Sequence, residues 1–515
     1  MQAASLVGAA MLVSRIIGLV RDIVIKQYLG VSSLEAVAFE AANRFPETIF
    51  LIVAGGAVGS AFIPTFAGYF SRDDEVGGWR LFSAVINLIT VVVTAVAGIT
   101  AVFAPQFITF FLSSQVAENP ELLALTVRLM RILLLSPIIF GASGVIMGAL
   151  NARQHFLLPA LAPIIYNLAI IAGAVTAFWL GKPVELGLAW GTVLGALGHL
   201  SIQLPGLRQK KARYSPILTL RDPGVRQVLR LMAPRVLGLS FSEINAFVAL
   251  FLSDMMPFGS FPALNTARRI MIMPQGILGQ AMGIAAFPTL AELAARESWE
   301  EMRRILADSL RMLYFLGLPT TVFLMILRKP IIVLLYQRGF FGVDDAALVT
   351  WALLFYSFGL IALTSLEVVA RAFYALSDTM TPVLAGFVQI VVMTGLSVWL
   401  MTVFEQQGWL SLGGVALAFS VSNFIEVGVL MWLLRRKMYG LNGRYLLDGL
   451  IRISIAGTVM AAAMQICANL TAQNIFLQAV ASTIAGGSIY LITTLLLHVP
   501  EVQQIIAFVH RRLPI

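Results

Sequence analysis

The chain has 515 residues, 59% of them hydrophobic and 12% charged, with a formal net charge of +9 and a mean hydropathy of +0.88. Soluble domains carry about twice that charged share, so the composition excludes an ordinary soluble enzyme and points to a polytopic membrane protein. The basic excess sits in short loops between apolar runs, which argues against nucleic acid as a partner, and the single cysteine, Cys467, excludes a disulfide framework or a cysteine metal cluster.

The first apolar run, residues 4–29, is long enough to cross a bilayer. No basic segment precedes it and Arg15 interrupts it, so it is not expected to be a cleaved signal. At about 100° per residue, Arg21, Ser14, Gly18, Asp22, Arg15 and Lys26 fall in one arc, and Ile16, Ile17, Leu19, Val20, Ile23 and Val24 form the opposite face. A charge inside a span costs roughly 2.5–3.5 kcal/mol and normally faces a bundle interior or a watery cavity. The arc is therefore expected to serve a polar, anionic ligand. The plain alternative is that its cations snorkel or pair with Asp22.

Further along, runs of about 20 or more apolar residues predict some fourteen spans. They cover 4–29, 36–69, 78–104, 122–151, 157–181, 185–204, 227–254, 262–292, 305–327, 345–376, 381–404, 410–434, 446–469 and 475–497. A short amphipathic piece, Pro105–Leu112, is expected along the membrane surface, and 501–515 reads as a basic tail. Loops after even-numbered spans hold seventeen lysines and arginines, and those after odd-numbered spans hold four: Lys182, Arg328, Lys329 and Arg338. That bias predicts both termini in the cytoplasm.

The chain repeats itself at an offset near 220 residues. Ser14-Arg15-Ile16-Ile17-Gly18-Leu19 returns as Pro234-Arg235-Val236-Leu237-Gly238-Leu239. Gly59 with Ile63-Pro64-Thr65 returns as Gly283 with Phe287-Pro288-Thr289, and Pro159 returns as Pro382. Six spans per copy keep both copies in one orientation, as in transporters built from parallel repeats. The expected domains are 1–207 as one six-helix lobe, 208–221 as a basic cytoplasmic linker, 222–444 as the second lobe, and 445–515 as two extra helices and a tail. The paired GxxxG patterns at 55–59 and 279–283 are read as helix packing rather than phosphate binding. Pro46, Pro64, Pro274 and Pro288 are read as kinks.

No HExxH, GxSxG or Walker-type loop is present, and His155, His199, His498 and His510 have no ligand spacing, so catalysis is not expected. The remaining intramembrane charges are Glu35, Glu40, Arg44, Arg128, Arg131, Arg235, Glu243, Arg268, Arg269, Glu367 and Arg371. Arg128 and Arg131, near a helix start, read as snorkelling. Arg44, just before Pro46, and Arg268 and Arg269, before Pro274, fall at equivalent places in the repeat, where the two lobes should meet. Arginine binds phosphate bidentately and keeps its proton. A set of arginines from spans one, two and eight suits a phosphate or pyrophosphate head group and does not suit a cationic drug.

Several stretches together resemble the lipid II flippase family, MurJ, also called MviN. They are SRxxGxxRD from Ser14, GGAxxxAFIPTF from Gly55, ARRIxxxPxGILGxAxGxxxFPTLA from Ala267, YQRGxFxxxD from Tyr336 and RAFYALxDTxTPV from Arg371. The resemblance runs over the whole chain. It implies a member of the multidrug/oligosaccharidyl-lipid/polysaccharide exporter superfamily that moves an undecaprenyl-pyrophosphate-linked peptidoglycan precursor to the outer leaflet of the bacterial inner membrane. It also implies a substrate set of Arg15, Arg21, Arg44 and Arg269, and a tail groove involving spans thirteen and fourteen. Arg268 and Asp22, read from the span-eight approach and the first-span arc, are added to that set. No cofactor and no metal is expected. Coupling to membrane potential or to a cation is left open, and a monomer among membrane lipids is expected. The chain departs from the family at Val37, where many members carry aspartate and Glu35 or Glu40 is the available substitute, at Ala249, where some carry a sodium-binding carboxylate, and at Phe50 and Leu51, where many carry arginine. Sodium coupling is in doubt for that reason. The alternatives are an exporter of another polyprenyl-linked oligosaccharide, a cation-coupled multidrug exporter, and a non-transporting scaffold for envelope synthesis.

Overall fold

The computed structural model describes residues 2–53 and 61–503, with side chains from residue 8 onward except at 234, 235, 237, 238, 241 and 242. The first GxxxG at 55–59, the side chain of Arg235 and the basic end of the tail with Arg511 and Arg512 lie outside the described residues. Every described element is a helix. In chain order they are α1 (Gln2–Leu29), α2 (Leu34–Phe50), α3 (Ile63–Phe70), α4 (Glu75–Val102), α5 (Ala104–Phe111), α6 (Ser113–Glu118), α7 (Pro120–Leu133), α8 (Leu135–Ala152), α9 (Leu157–Trp179), α10 (Val184–Ser201), α11 (Leu204–Gln209) and α12 (Pro223–Ser253). They continue as α13 (Ser260–Ala295), α14 (Trp299–Ile326), α15 (Arg328–Tyr336), α16 (Val343–Phe358), α17 (Leu360–Ala375), α18 (Met380–Gln406), α19 (Leu412–Lys437), α20 (Gly443–Leu470) and α21 (Ile475–Leu496).

The helix starts carry the expected chemistry. Ser33 accepts from the Ala36 amide at 3.0 Å, Asp74 from Gly77 at 2.8 Å, Asp222 from Gly224 at 2.9 Å and Asn474 from Phe476 at 3.0 Å. Each satisfies a backbone donor that the first turn leaves open. α5 is a separate short helix, as expected for the amphipathic piece.

Among the described residues, nine helices are long and apolar enough to cross a membrane, counting α7 with α8 as one. The pair α16 and α17, bent by 42° at Gly359, makes a tenth. With α1, α10, α12 and the run that holds α2 and α3, the described helices are consistent with the fourteen predicted spans. Contacts between loops support the count. Arg153, after span four, lies 4.1 Å over the ring of Phe70 at the end of span two. Asp254, after span seven, accepts at 3.0 Å from the Ser114 and Gln115 amides after span three. Phe340, after span nine, donates to the Gln27 carbonyl of span one at 2.8 Å. Arg303, after span eight, donates to the Tyr439 carbonyl after span twelve at 3.0 Å. Each contact joins two even loops or two odd ones, as it must if loops alternate between the faces of a membrane. Gly339 makes one approach possible: its φ is +60°, and a Cβ there would run into the Gln27 carbonyl.

The chain packs as two compact units, Met1–Pro262 with Arg338–Gly342, and Ala263–Gln337 with Val343–Ile515. Packing and repeat divide the chain differently, since α12 opens the second copy of the repeat but packs in the first unit. The first unit has one apolar cluster around Val37, Ala41, Leu122, Leu133 and Leu250 and another around Phe62, Phe66 and Trp79. In the second, Leu290, Leu310, Val369 and Phe373 form the main cluster, and Phe315, Ile453, Met464 and Tyr490 fasten the last two helices to α14. Burial pushes the Asp254 carboxyl up, but the Ser114 and Gln115 amides and the Ser113 hydroxyl outweigh it, so the group sits below its ordinary value.

Candidate functional site

The polar arc of α1 divides into two parts. Arg15 is exposed, and Arg21 is half-buried with Nη1 donating to Asn167 Oδ1 of α9 at 3.0 Å. The Arg21 Nε–H is buried and makes no hydrogen bond among the described residues. A guanidinium held at one nitrogen and open at another is poised for an anion. Lys26, one turn past the buried Asp22, does something else. Its ammonium lies 2.8 Å from Glu40 Oε1 of α2, and both groups are buried. Lys26 therefore neither snorkels nor pairs with Asp22. It closes a buried ion pair that ties α1 to α2.

Arg44 is buried on α2, within an electrostatic nest of its own. It pairs with Glu243 of α12, lies 3.5 Å from Glu47 and 3.1 Å from the Thr48 hydroxyl, and stacks 5.5 Å from the ring of Phe247. Two carboxylates already share its charge, so it offers an incoming phosphate less than a lone arginine would. Phe50 and Leu51, where many family members carry arginine, are half-buried, and the Phe50 ring packs 4.5 Å from Phe140 of α8. Val37 and Ala249 are both buried in the same apolar cluster. The two places where the resemblance implies carboxylates are thus core positions here.

Arg268 and Arg269 belong to the second unit, half-buried on α13 ahead of Pro274. The Arg268 guanidinium lies 5.5 Å from the ring of Phe419 on α19, and its buried Nε–H makes no hydrogen bond among the described residues. Further along α13, Gln275 donates to Glu367 of α17 at 3.2 Å, and Glu367 pairs with Arg371 at 3.4 Å. A Cβ on Gly279 would come within 3.1 Å of the Thr364 Cα, and one on Gly283 would collide with the Arg371 guanidinium. The second GxxxG is a packing face, as read from the sequence.

Sequence reasoning did not find the partners Asn167 and Glu243. It also passed over a second buried pair, in which Arg311 of α14 grips Glu501 at 2.5 and 3.1 Å. An amide inside an apolar span was the available signal for Asn167. Nothing local marked Arg311 as buried, because a basic residue near a helix start reads as a topology signal.

A family model described as "Lipid II flippase MurJ" matches residues 25–486. The chain belongs to that family. It is 30% identical over 479 residues to a Vibrio cholerae protein described as "Probable lipid II flippase MurJ", a match covering 89% of this chain and 87% of that one. A solved structure of "Lipid II flippase MurJ, inward closed conformation" matches with a TM-score of 0.75 at 24% identity, covering 95% of this chain and 98% of that one. A second, the inward-facing conformation of a multidrug resistance MATE family transporter of the MOP superfamily, matches with a TM-score of 0.69 at 16% identity, covering 84% and 96%. The two structural likenesses establish the fold, and the family match makes the chain a multi-pass membrane protein of a flippase family.

Proposed function

We propose that this protein is a lipid II flippase. It carries the polyprenyl-pyrophosphate-linked peptidoglycan precursor from the inner to the outer leaflet of the bacterial cytoplasmic membrane, by alternating access and as a monomer. Family membership over residues 25–486 carries this reading. The chemistry of the arginines supports it. Arg15, Arg21 and Arg269 bind the pyrophosphate, with Arg268 presenting a further N–H, while Asp22 and the Arg44–Glu243 pair shape the polar surroundings. The test is complementation of a strain depleted of its own flippase. Wild type restores growth, whereas Arg15→Ala, Arg21→Ala and Arg269→Ala express and fail. Arg21→Lys retains part of the activity, since a point charge replaces a fork poorly. Full growth from all three alanine variants overturns the assignment of the site.

Both termini and the linker 208–221 are cytoplasmic in this proposal, on the strength of the loop charges. In a Cys467→Ser background, a cysteine near Lys182 or Gln473 then reacts with an impermeant thiol reagent from outside, and one near Lys210 does not. The membrane potential drives turnover. An inside-negative potential does about 2.3 kcal/mol of work per charge per 100 mV, pushing the anionic head group outward and drawing the empty cationic site back. Flipping in proteoliposomes under a potassium–valinomycin potential, without sodium, measures this directly.

A further inference from the structure

We propose that Glu426 is a proton-binding site, reached through a groove between α18 and α19. The groove has a volume of about 300 Å³, and its walls are Leu384, Ala385, Val388 and Val392 of α18 with Ile425 and Val429 of α19. Several of these side chains are largely exposed, Leu384 by 59% and Val388 by 54%, whereas Glu426 is 8% exposed. The carboxyl group therefore lies at the floor of an apolar cleft. It stands eleven residues before Lys437, the last residue of α19, or roughly 16 Å along the helix at 1.5 Å per residue. That depth is well inside a hydrocarbon layer about 30 Å thick.

No hydrogen bond or ion pair reaches Glu426 among the described residues, and the charges on the helices packed against α19 pair elsewhere or stand away from it. On α13, Arg268 lies against Phe419, two turns of α19 before Glu426. On α17, Glu367 and Arg371 pair with each other. Asp378 and Lys437 pair at the open end of the groove. Asp344 and Asp345 sit in the first turn of α16, and Glu405 lies one residue from the end of α18. Of the polar groups nearby, Gln389 donates to Ser422 at 2.8 Å, and Thr381 stands at the mouth. Gly386 presents bare backbone, with the place of its missing Cβ 3.6 Å from Glu426 Oε1. An ionised carboxylate here would be buried without a counter-charge, and a neutral carboxyl avoids most of that desolvation cost. The site therefore binds a proton and exchanges it through the groove mouth. This gives the protein a group on which a pH gradient can act, separate from the arginines that face the cargo.

The test uses dicyclohexylcarbodiimide, a lipid-soluble reagent that modifies protonated carboxyl groups in apolar surroundings, on the full chain in nanodiscs of phosphatidylethanolamine and phosphatidylglycerol. Peptide mass mapping at pH 7 is expected to place the adduct on Glu426, with at least a tenfold loss in Glu426→Gln and retention in Glu426→Asp. Yield falls as the pH is raised. Glu40 and Glu501, paired with Lys26 and Arg311, stay unmodified. An unmodified Glu426 at pH 7 overturns the proposal, as does equal modification by a water-soluble carbodiimide, which would mean an exposed carboxylate. No lipid II enters the assay, so failure here is distinct from failure of the flippase reading.

Discussion

Arg44 and Arg268 hold matching places in the sequence repeat, each ahead of a proline inside a helix and each 5.5 Å from an aromatic ring, yet they differ in their carboxylates. Arg44 is surrounded by carboxylates, with Glu243 on α12 and Glu47 one turn on. Arg268 shares with Arg44 an aromatic ring, here Phe419, and a buried Nε–H without a hydrogen bond among the described residues, but no ion pair joins it to a carboxylate there. An ion pair satisfies a buried guanidinium, so Arg44 is held mainly by its own protein. A ring face attracts the cation without using its donors, so Arg268 keeps hydrogen-bonding capacity for a ligand. Similar sequence signals have thus produced one arginine neutralised by carboxylates and one that lies against a ring without an ion pair among the described residues.

The largest effect should come from breaking the Arg44 pair. Glu243→Ala leaves a buried guanidinium short of a partner, and Arg44→Ala leaves a carboxylate in the same position. Removing one member of a buried pair costs about 3–5 kcal/mol, to be read as a drop in melting temperature in detergent. The double variant should recover part of the loss, with a coupling of about 1–3 kcal/mol. If the single losses simply add, Arg44 is not held by Glu243, and the contrast with Arg268 disappears.

Arg268→Ala is expected to behave in the reverse manner. It gives up a ring contact worth about 0.5–1 kcal/mol, so the melting temperature barely moves, while flipping falls at least tenfold. Phe419→Leu removes the ring and keeps the arginine, and it should lower affinity less than Arg268→Ala does. A large stability loss in Arg268→Ala with unchanged transport would make Arg268 as structural as Arg44.

The same contrast shows what was legible in the sequence. The fourteen spans were readable because apolar runs alternate with charged loops, and each run is helical over its described residues. The arc of α1 was readable because helical periodicity fixes which side chains share a face. Periodicity does not say what lies opposite that face. Lys26 therefore shared an arc with Arg21 but found its partner in Glu40 on the next helix, while Arg21 found Asn167, 146 residues on. Arg311 and Glu501 are 190 residues apart, and no local pattern connects them. Glu426 was passed over because one carboxylate among apolar residues has no spacing to read. Only the groove around it distinguishes it from a helix-end charge.

The smallest expected effect sharpens the comparison by setting a buried pair against an interfacial one. Asp378, in the loop before α18, accepts from Lys437 and from the Thr381 hydroxyl and amide. Burial pushes its carboxyl up, but these donors, led by Lys437, outweigh it, and the group is held at about 2 against an ordinary 3.8. A carboxylate lowered on folding adds stability above its ordinary value and loses it as the pH falls toward the lowered one. The contribution should therefore be complete above about pH 4 and gone near pH 2. Lys437 is 45% exposed, so solvent screens the pair and its worth is below about 1 kcal/mol. Asp378→Asn should melt slightly below wild type at pH 7, and the gap should close as the pH falls from 4 to 2. It should also narrow in 1 M salt, where the screening length shrinks to about 3 Å. The gap between Glu243→Ala and wild type should hold in the same salt, because ions do not reach Arg44. If salt closes both gaps equally, Arg44 is solvated, and its carboxylates leave it as free for an anion as Arg268.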